Sequence, residues 1–220
     1  MFPLLHQSAC VLVVGVIASV LAAQPVPPQA PVSPARASNA QSAPLDLGAV
    51  IGGVYRNTFF GFSLKLPFGW VDRTDVMRED SSEPGNTSAG KGTVLLAVFE
   101  RPPEATGSTV NSAVIIAAES ASSYPGLKDA AQYFGPIDEL TKSNGFNAIN
   151  EPYEFPVDGM PIVRQDFSKK MSGATMQQSS LALLRKGFVV SFTFIAGSED
   201  EIIQNLDHLR FGAQKAAKPR

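Results

Sequence analysis

The stretch from residue 187 to residue 195, Gly-Phe-Val-Val-Ser-Phe-Thr-Phe-Ile (GFVVSFTFI), decides the fold class of this chain. Side chains of an extended strand point alternately to its two faces, so every second residue lies on the same face. One face therefore carries Phe188, Val190, Phe192 and Phe194, and the other carries Val189 and Ile195. Apolar residues on both faces are typical of a strand in a sheet that is covered on both sides.

A helix is predicted directly after this strand. Residues 198–201 read Ser-Glu-Asp-Glu, a capping box whose serine and last glutamate can satisfy amide donors at the first turn of a helix. The apolar residues of this predicted helix are Ile202, Ile203, Leu206 and Leu209. Their spacing favours an amphipathic helix that covers the sheet.

Further strands are predicted earlier in the chain. Residues 59–66 alternate between apolar and small or polar side chains, which is the period of a half-buried strand. Residues 93–99 and 113–118 are short apolar runs with β-branched side chains, which favour strands. Three more strands are predicted near residues 153–156, 162–168 and 176–184.

One more helix is predicted over residues 127–144, where apolar side chains recur at spacings of three and four. Gly135-Pro136 interrupts this pattern, so either a kink or two abutting helices are expected there, and Asn144-Gly145 is expected to end the helical region. The resulting order is strands, helix, strands, helix. This order indicates an α+β fold with a largely antiparallel sheet flanked by helices.

The opening and the end of this region carry a set of short motifs: Tyr55-Arg56-Asn57, Phe60-Gly61-Phe62-Ser63, Pro67, Gly69-Trp70, the Ser-Glu-Asp-Glu helix start and Leu209-Arg210-Phe211. With these motifs the region resembles the PsbP-like superfamily, which includes the extrinsic photosystem II subunit and a Ran-binding nuclear transport factor. The resemblance covers about residues 54–211 and implies an α/β/α sandwich. Members of this superfamily share no single reaction, so the resemblance implies a binding or assembly role without naming a partner.

The N-terminal segment, residues 1–23, is interpreted as a signal peptide. Residues 9–23 form an uninterrupted run of apolar or small residues. This run is shorter than the roughly 20 apolar residues that span a bilayer. The segment ends in small residues, so cleavage is expected after Ala22 or Ala23. The alternative is an uncleaved anchor that begins near Phe2, because few positive charges precede the apolar core.

The remaining chain is predicted to have three parts. Residues 24–48 are rich in Pro, Ala and Ser, which predicts a disordered linker. Residues 49–212 form the predicted PsbP-like domain, and residues 213–220 a basic flexible tail. Removal of residues 1–23 would also remove Cys10, the single cysteine, so no disulfide is expected in the mature protein.

Composition excludes several classes of function. The 18 Lys and Arg residues nearly balance the 20 Asp and Glu residues, and no long basic run is present, so nucleic acid is not an expected partner. His208 is expected in the last helix without a second histidine or a cysteine beside it, so we assign it no catalytic or metal-binding role. No cofactor and no metal site are predicted.

The candidate contact residues lie around a polar segment, residues 78–92, that is interpreted as a long exposed loop. Trp70 precedes this loop at the end of a predicted strand, where a large amphipathic ring can contact a partner. Glu79, Asp80 and Glu83 are the acidic residues of the loop. Their spacing does not match a calcium loop, so they are candidates for partner contact rather than for metal binding.

Two functions are consistent with the sequence. The first is an exported, periplasmic or secreted, non-catalytic module that binds an unknown protein or cell-envelope component through a sheet edge or the long loop. After cleavage of its signal peptide it is not expected to insert stably in a membrane. The alternative is an extracytoplasmic hydrolase that uses a pair of carboxylates, although no pair is evident from the spacing of acidic residues.

Overall fold

The structure is a computed structural model that describes residues 45–82, 92–105, 107 and 109–212, and these residues form two antiparallel sheets. From edge to edge, the smaller sheet consists of β1 (Ala49–Ile51), β2 (Val54–Asn57), β3 (Phe62–Lys65) and β12 (Leu209–Phe211). The larger sheet consists of β4 (Val71–Asp72), β5 (Thr93–Phe99), β6 (Ala113–Ser120), β11 (Phe188–Ala196), β10 (Ala174–Arg185), β9 (Val163–Met171) and β7 (Asn147–Ala148), again from edge to edge. A short strand, β8 (Tyr153–Glu154), also pairs with β9.

Strand β11 is central in the larger sheet, because it pairs with β6 on one side and with β10 on the other. Its two faces are those predicted from the sequence. Phe192 is fully buried on the side that we name the core face of the larger sheet. Val189 belongs to a second apolar cluster on the opposite side, which we name the cleft face. Both faces are therefore covered over at least part of their area, as the sequence predicts.

The smaller sheet packs against the core face of the larger sheet. The ring centre of Phe62 on β3 lies 5.0 Å from that of Phe192, and the ring of Phe211 on β12 lies 6.1 Å from it. Edge-to-face contacts of this kind add to the free energy gained by burying the rings. The three phenylalanines thus join the two sheets through one hydrophobic core.

The described residues contain three α-helices, α1 (Thr74–Ser82), α2 (Phe134–Ser143) and α3 (Glu199–Leu206). Phe134 at the start of α2 packs with Val189 on the cleft face, whereas Leu206 of α3 belongs to the core on the opposite face. Helices therefore lie on both sides of the larger sheet. The α+β fold class with a largely antiparallel sheet between helices is confirmed. The sequence did not predict that the opening hairpin and β12 form a sheet of their own.

The start of α3 is the predicted one. The Ser198 side chain accepts a hydrogen bond of 3.3 Å from the amide of Glu201, as a helix N-cap does. The Glu201 carboxylate does not return to the amide of Ser198, as it would in a capping box. It accepts instead from the Ser112 hydroxyl at 2.5 Å and from the amide of Gly197 at 3.4 Å. This glutamate therefore ties the helix to the segment that precedes β6.

Three local predictions are wrong. The predicted loop begins too early, since residues 78–82 belong to α1, a short helix on which Glu79 and Asp80 are exposed. The predicted helix does not begin at residue 127: a 3-10 helix over Ala131–Tyr133 directly abuts α2, which begins at Phe134, so the second of the two predicted arrangements is the one seen. Gly135-Pro136 lies in the first turn of α2, where proline costs no hydrogen bond. His208 follows the end of α3 in a turn that leads into β12 and is not part of a helix.

The last residues of the predicted linker contact the folded domain. The Asp46 carboxylate accepts hydrogen bonds from the amide of Gly48 at 2.9 Å, the Thr58 hydroxyl at 2.9 Å and the amide of Phe59 at 3.1 Å. The buried Asn57 side chain donates to the Asp46 carbonyl at 2.8 Å. The hydrogen bond from Gly48 is the main cause that lowers the pKa of Asp46 below its ordinary value. Residues 45–48 are thus held by the turn between β2 and β3.

Several predictions fall on residues that the structure does not describe. They concern the signal peptide (1–23), the linker up to residue 44, Cys10, Glu83 and the tail (213–220). Among the described residues, no helix combines the length and the apolar composition that crossing a bilayer requires. The signal peptide and the tail stay predictions.

Candidate functional site

A cleft of about 370 Å³ lies on the cleft face of the larger sheet, between α1 and α2. Its floor is formed by half-buried side chains of the two central strands, Ile115 and Ala117 on β6 and Ser191, Thr193 and Ile195 on β11. The pairing of Ser191 with Ala117 and of Thr193 with Ile115 places these side chains next to each other. The middle of the sheet is therefore open here, whereas the opposite face is closed by the smaller sheet and α3.

The walls of the cleft come from the two helices that flank it. Met77 and Ser81 contribute from α1, and Ile137, Leu140 and Thr141 contribute from α2. Leu140 remains 48% exposed although it is apolar. Helix α2 uses Phe134 to cover the sheet near Val189, and the separation of the two helices leaves the rest of the face uncovered. The cleft thus exposes apolar surface on its floor and on one wall.

One end of the cleft holds a buried carboxylate. Glu119 at the end of β6 is only 6% exposed. Its two oxygens accept hydrogen bonds from tyrosine hydroxyls, one from Tyr133 at 2.5 Å and the other from Tyr124. Burial, reinforced by the nearby Glu119 carboxylate, raises the pKa of Tyr124 to about 12 and also raises the pKa of Tyr133. Both tyrosines therefore stay protonated and remain hydrogen-bond donors to Glu119.

The chain approaches Glu119 closely at Gly92. A Cβ atom at position 92 would lie 2.5 Å from Cγ of Glu119 and 3.3 Å from the carbonyl oxygen of Ala118. The first distance is far below a normal carbon–carbon contact, so a side chain at this position would displace the carboxylate. Glycine at position 92 therefore allows β5 to begin directly over the buried Glu119.

A second carboxylate, the partly buried Asp166, lies on the core face near the edge of the larger sheet. The Asp166 carboxylate accepts hydrogen bonds from Arg164 at 2.8 Å, Ser179 at 2.5 Å and Asn150 at 2.8 Å. Burial alone would raise the pKa of Asp166, but these hydrogen bonds outweigh it and hold the pKa below its ordinary value of 3.8. The Arg164 guanidinium also stacks 5.0 Å above the ring of Phe155. This cluster fixes β9 against β10.

These two carboxylates do not form a hydrolytic pair. Glu119 lies opposite Val189 on the cleft face, whereas Asp166 lies opposite Ser179, which pairs with Phe194 on the core face. The sheet itself separates them. Of the described residues that line the cleft, Glu119 is the only carboxylate. General acid–base hydrolysis of a glycoside needs two such groups in one cleft, so the geometry gives no support to the carboxylate-pair alternative.

The residues predicted to contact a partner are not brought together at the cleft. Trp70 is half-buried and packs against the main core, and its role in partner contact stays a prediction. Glu79 and Asp80 are exposed on α1, and Glu83 lies outside the described residues. Their role in partner contact stays a prediction. The fully exposed aromatic residue of this region is Phe68, which is 105% exposed in the turn before Trp70.

The spacing of residues in the sequence does not predict the cleft. A usable signal was the polar pair Ser191 and Thr193 on the less apolar face of β11, since hydroxyl groups in a central strand suggest an incompletely covered face. Glu119 gave a second signal, because it directly follows an apolar run in the same strand. Charged residues are rarely fully buried, so a glutamate at this position suggests a polar site beside the apolar surface of the sheet. Neither signal identifies the cleft alone, because the positions of α1 and α2 depend on contacts between distant parts of the chain.

The fold and the cleft together define an α+β module with one open sheet face. No family model matches the chain, and none of the curated proteins matches it. Solved structures do match. Cyanobacterial PsbP (CyanoP) from Synechocystis has 14% sequence identity, and the match covers 74% of this chain and 95% of that chain with a TM-score of 0.44.

Two further matches have similar values. The Ran-binding protein Mog1p of Saccharomyces cerevisiae has 12% identity over 69% of this chain and 90% of that chain, with a TM-score of 0.40. LpqN of Mycobacterium tuberculosis, described as involved in cell envelope biogenesis, has 12% identity over 69% of this chain and 83% of that chain, with a TM-score of 0.37. The structures therefore include both kinds of protein that the sequence resemblance named.

Proposed function

We propose that this chain is an exported, non-catalytic binding module whose cleft takes an apolar segment of a partner protein. The observation that carries the proposal is the uncovered floor of the larger sheet between α1 and α2. A central sheet face is normally buried, because exposing it forfeits the free energy of burying apolar surface. A partner that covers this floor recovers that free energy.

The shape of the cleft suits a protein segment better than a compact small molecule. It is only partly enclosed, and its apolar side chains are spread over the floor and the α2 wall. Leu140, 48% exposed, can contact a bound segment without any rearrangement of α2. Apolar anchors in a preformed groove are the usual source of affinity in helix-in-groove and related modes of recognition.

Glu119 supplies the charge that orients the partner. Its carboxylate is buried at one end of the cleft, and its described hydrogen-bond partners are two neutral tyrosine hydroxyls. A lysine or arginine at one end of the bound segment would pair with this carboxylate, and a segment in the reverse direction would not. Charge complementarity of this kind gives specificity and direction more than raw affinity.

Site-specific photo-crosslinking in the native host tests the proposal. Benzoylphenylalanine at Leu140, on the α2 wall, is expected to give a specific protein adduct after irradiation. The matched control carries the same probe at Ile203 of α3, which is apolar, helical and similarly exposed, at 44% against 48%, but lies on the opposite side of the larger sheet. The Ile203 probe is expected to give no such adduct.

The Glu119→Gln variant adds a second readout to this experiment. The amide keeps the shape of the side chain but removes its charge, so the yield of the Leu140 adduct is expected to fall several-fold. Equal adducts from Leu140 and Ile203, or adducts from Ile203 alone, would place the partner elsewhere on the molecule. An irradiated Leu140 probe that gives no adduct would contradict the proposal as well.

The export part of the proposal is supported by the apolar segment at residues 9–23 and the small residues that end it. The mature protein is expected to start at Ala23 or Gln24. Amino-terminal sequencing of the protein isolated from its host checks this expectation. A start at Met1 would instead make the segment a membrane anchor.

A further inference from the structure

The face of the smaller sheet that points away from the core carries a cluster of cations. Arg56 on β2, Ser63 on β3 and Arg210 on β12 form one row, because Arg56 pairs with Ser63 and Ser63 with Arg210. Lys65 lies on the same face two residues beyond Ser63, and all three cationic side chains are exposed. We name this surface, Arg56, Ser63, Lys65 and Arg210, the basic face.

Ser63 is only 5% exposed and lies between the strands that carry the two arginines. Strands lie about 4.8 Å apart, so the backbones of Arg56 and Arg210 are separated by about 10 Å across β3. A shallow depression lies on each side of Ser63, one of about 360 Å³ beside Arg56 and one of about 390 Å³ beside Lys65 and Arg210. The Arg210 guanidinium donates to the carbonyl of Leu209 at 2.8 Å, and both arginine side chains are exposed on this face. Asp207 is the acidic residue at the rim.

Exposed apolar side chains lie at one end of the basic face. Ile51 on β1 is 70% exposed, and Phe68 is 105% exposed in the turn between β3 and β4. The amide of Leu66 donates to the carbonyl of Gly53 at 2.8 Å, which places the Phe68 turn beside the turn that follows Ile51. Aromatic and basic side chains side by side are typical of surfaces that rest at the membrane–water interface.

The charge of this region contrasts with that of the whole chain. The formal net charge of the chain is −2, so the cations of the basic face are concentrated rather than part of a general excess. Gly212 directly follows the edge strand β12, and the sequence of residues 213–220 contains Lys215, Lys218 and Arg220 without an acidic residue.

We propose that the basic face docks on the surface of a bilayer that contains anionic phospholipid, with Phe68 and Ile51 entering the headgroup region. Each Lys or Arg near an anionic bilayer surface contributes about 1 kcal/mol, so three cations and two apolar side chains give reversible docking and not insertion. Docking in this orientation leaves the cleft free, because the cleft lies on the far side of the larger sheet. The protein would then present its binding cleft away from the membrane.

Vesicle flotation tests the proposal. The chain from Gln24 to Arg220 contains every described core residue, and it omits the apolar segment at residues 9–23, which would bind lipid by itself. It is expected to float with vesicles in which one quarter of the phosphatidylcholine is replaced by phosphatidylglycerol, and not with phosphatidylcholine alone. The double variant Lys65→Gln/Arg210→Gln is expected to reduce binding at least tenfold, and Phe68→Ser about tenfold.

The matched control is Lys128→Gln/Lys170→Gln, which removes the same charge from exposed positions outside the basic face and is expected to bind as the parent does. Equal losses in both double variants would show that only net charge matters and would overturn the proposal. Equal flotation with both kinds of vesicle, or flotation that Phe68→Ser leaves unchanged, would also overturn it. Full inhibition by millimolar inorganic phosphate would assign the basic face to a soluble anion instead.

Discussion

Replacing Phe192 with alanine is expected to lower the free energy of unfolding by about 3 to 5 kcal/mol. Phe192 is fully buried in the central strand β11, and its ring contacts those of Phe62 and Phe211 from the smaller sheet. The variant loses the buried area of the ring, and it leaves a cavity between two sheets that cannot both move inward. Urea denaturation followed by circular dichroism measures the loss.

The matched control is Phe68→Ala. It removes the same side chain from a position that is 105% exposed, so the free energy of unfolding is expected to change by less than about 0.5 kcal/mol. If Phe192→Ala costs as little as the control, Phe192 does not join the two sheets, and the arrangement of the core described above is wrong.

Asp166→Ala is expected to cost about 3 kcal/mol. The variant leaves the Arg164 guanidinium, in a residue only 6% exposed, without the carboxylate that it contacts at 2.8 Å. Ser179 and Asn150 also lose their acceptor. Removal of one partner from a buried ion pair lowers the free energy of unfolding by more than the intact pair contributes to it, because the remaining charge is left without either a partner or water. The same urea titration measures this loss.

The control for this variant is Asp75→Ala on α1. Asp75 pairs with Arg78 at 2.7 Å, but its side chain is 87% exposed and water replaces the lost contact. Its effect is expected to be much smaller than that of Asp166→Ala. Equal effects of the two variants would show that the Asp166 cluster is solvated in solution.

The stability supplied by the Asp166 cluster also depends on pH. The pKa of Asp166 is lower in the folded protein than its ordinary value of 3.8, so the folded state favours the charged carboxylate. This contribution is fully present above about pH 4 to 5 and is lost as the pH falls through the lowered pKa. The difference in unfolding free energy between the parent and Asp166→Ala is therefore expected to shrink between pH 6 and pH 3. A constant difference would contradict the lowered pKa.

The fold class was predictable because its signals are local. The alternation of residues 187–195 and the Ser198 cap each specify one element, and the structure has β11 and α3 at these places. The start of α2 was not predictable from spacing alone, since residues 127–133 continue the same apolar rhythm but form turns and a short 3-10 segment instead. Helix α1 was missed because it is short and mostly polar, so its sequence differs little from that of a loop.

The candidate site was less predictable than the fold. The cleft exists because α1 and α2 dock at a distance from each other, and that distance is set by contacts between residues far apart in the chain. The basic face could not be predicted because it depends on the pairing of β3 with β12. This pairing brings Arg210 beside Ser63, although the two residues lie near opposite ends of the domain sequence. Trp70 packs against the core whereas Phe68, two residues before it, is 105% exposed, and no periodic pattern distinguishes these two residues.

The most direct test of the proposed function is the yield of the Leu140 photo-adduct when the floor of the cleft is filled. Thr193 is half-buried at the centre of the floor, so Thr193→Trp places a large ring in the cleft without entering the core on the opposite face. The parent chain with the Leu140 probe is expected to form the adduct, and the same chain with Thr193→Trp is expected to lose it while keeping its melting temperature within a few degrees. An adduct of unchanged yield in a folded Thr193→Trp variant would contradict the claim that the partner binds in the cleft.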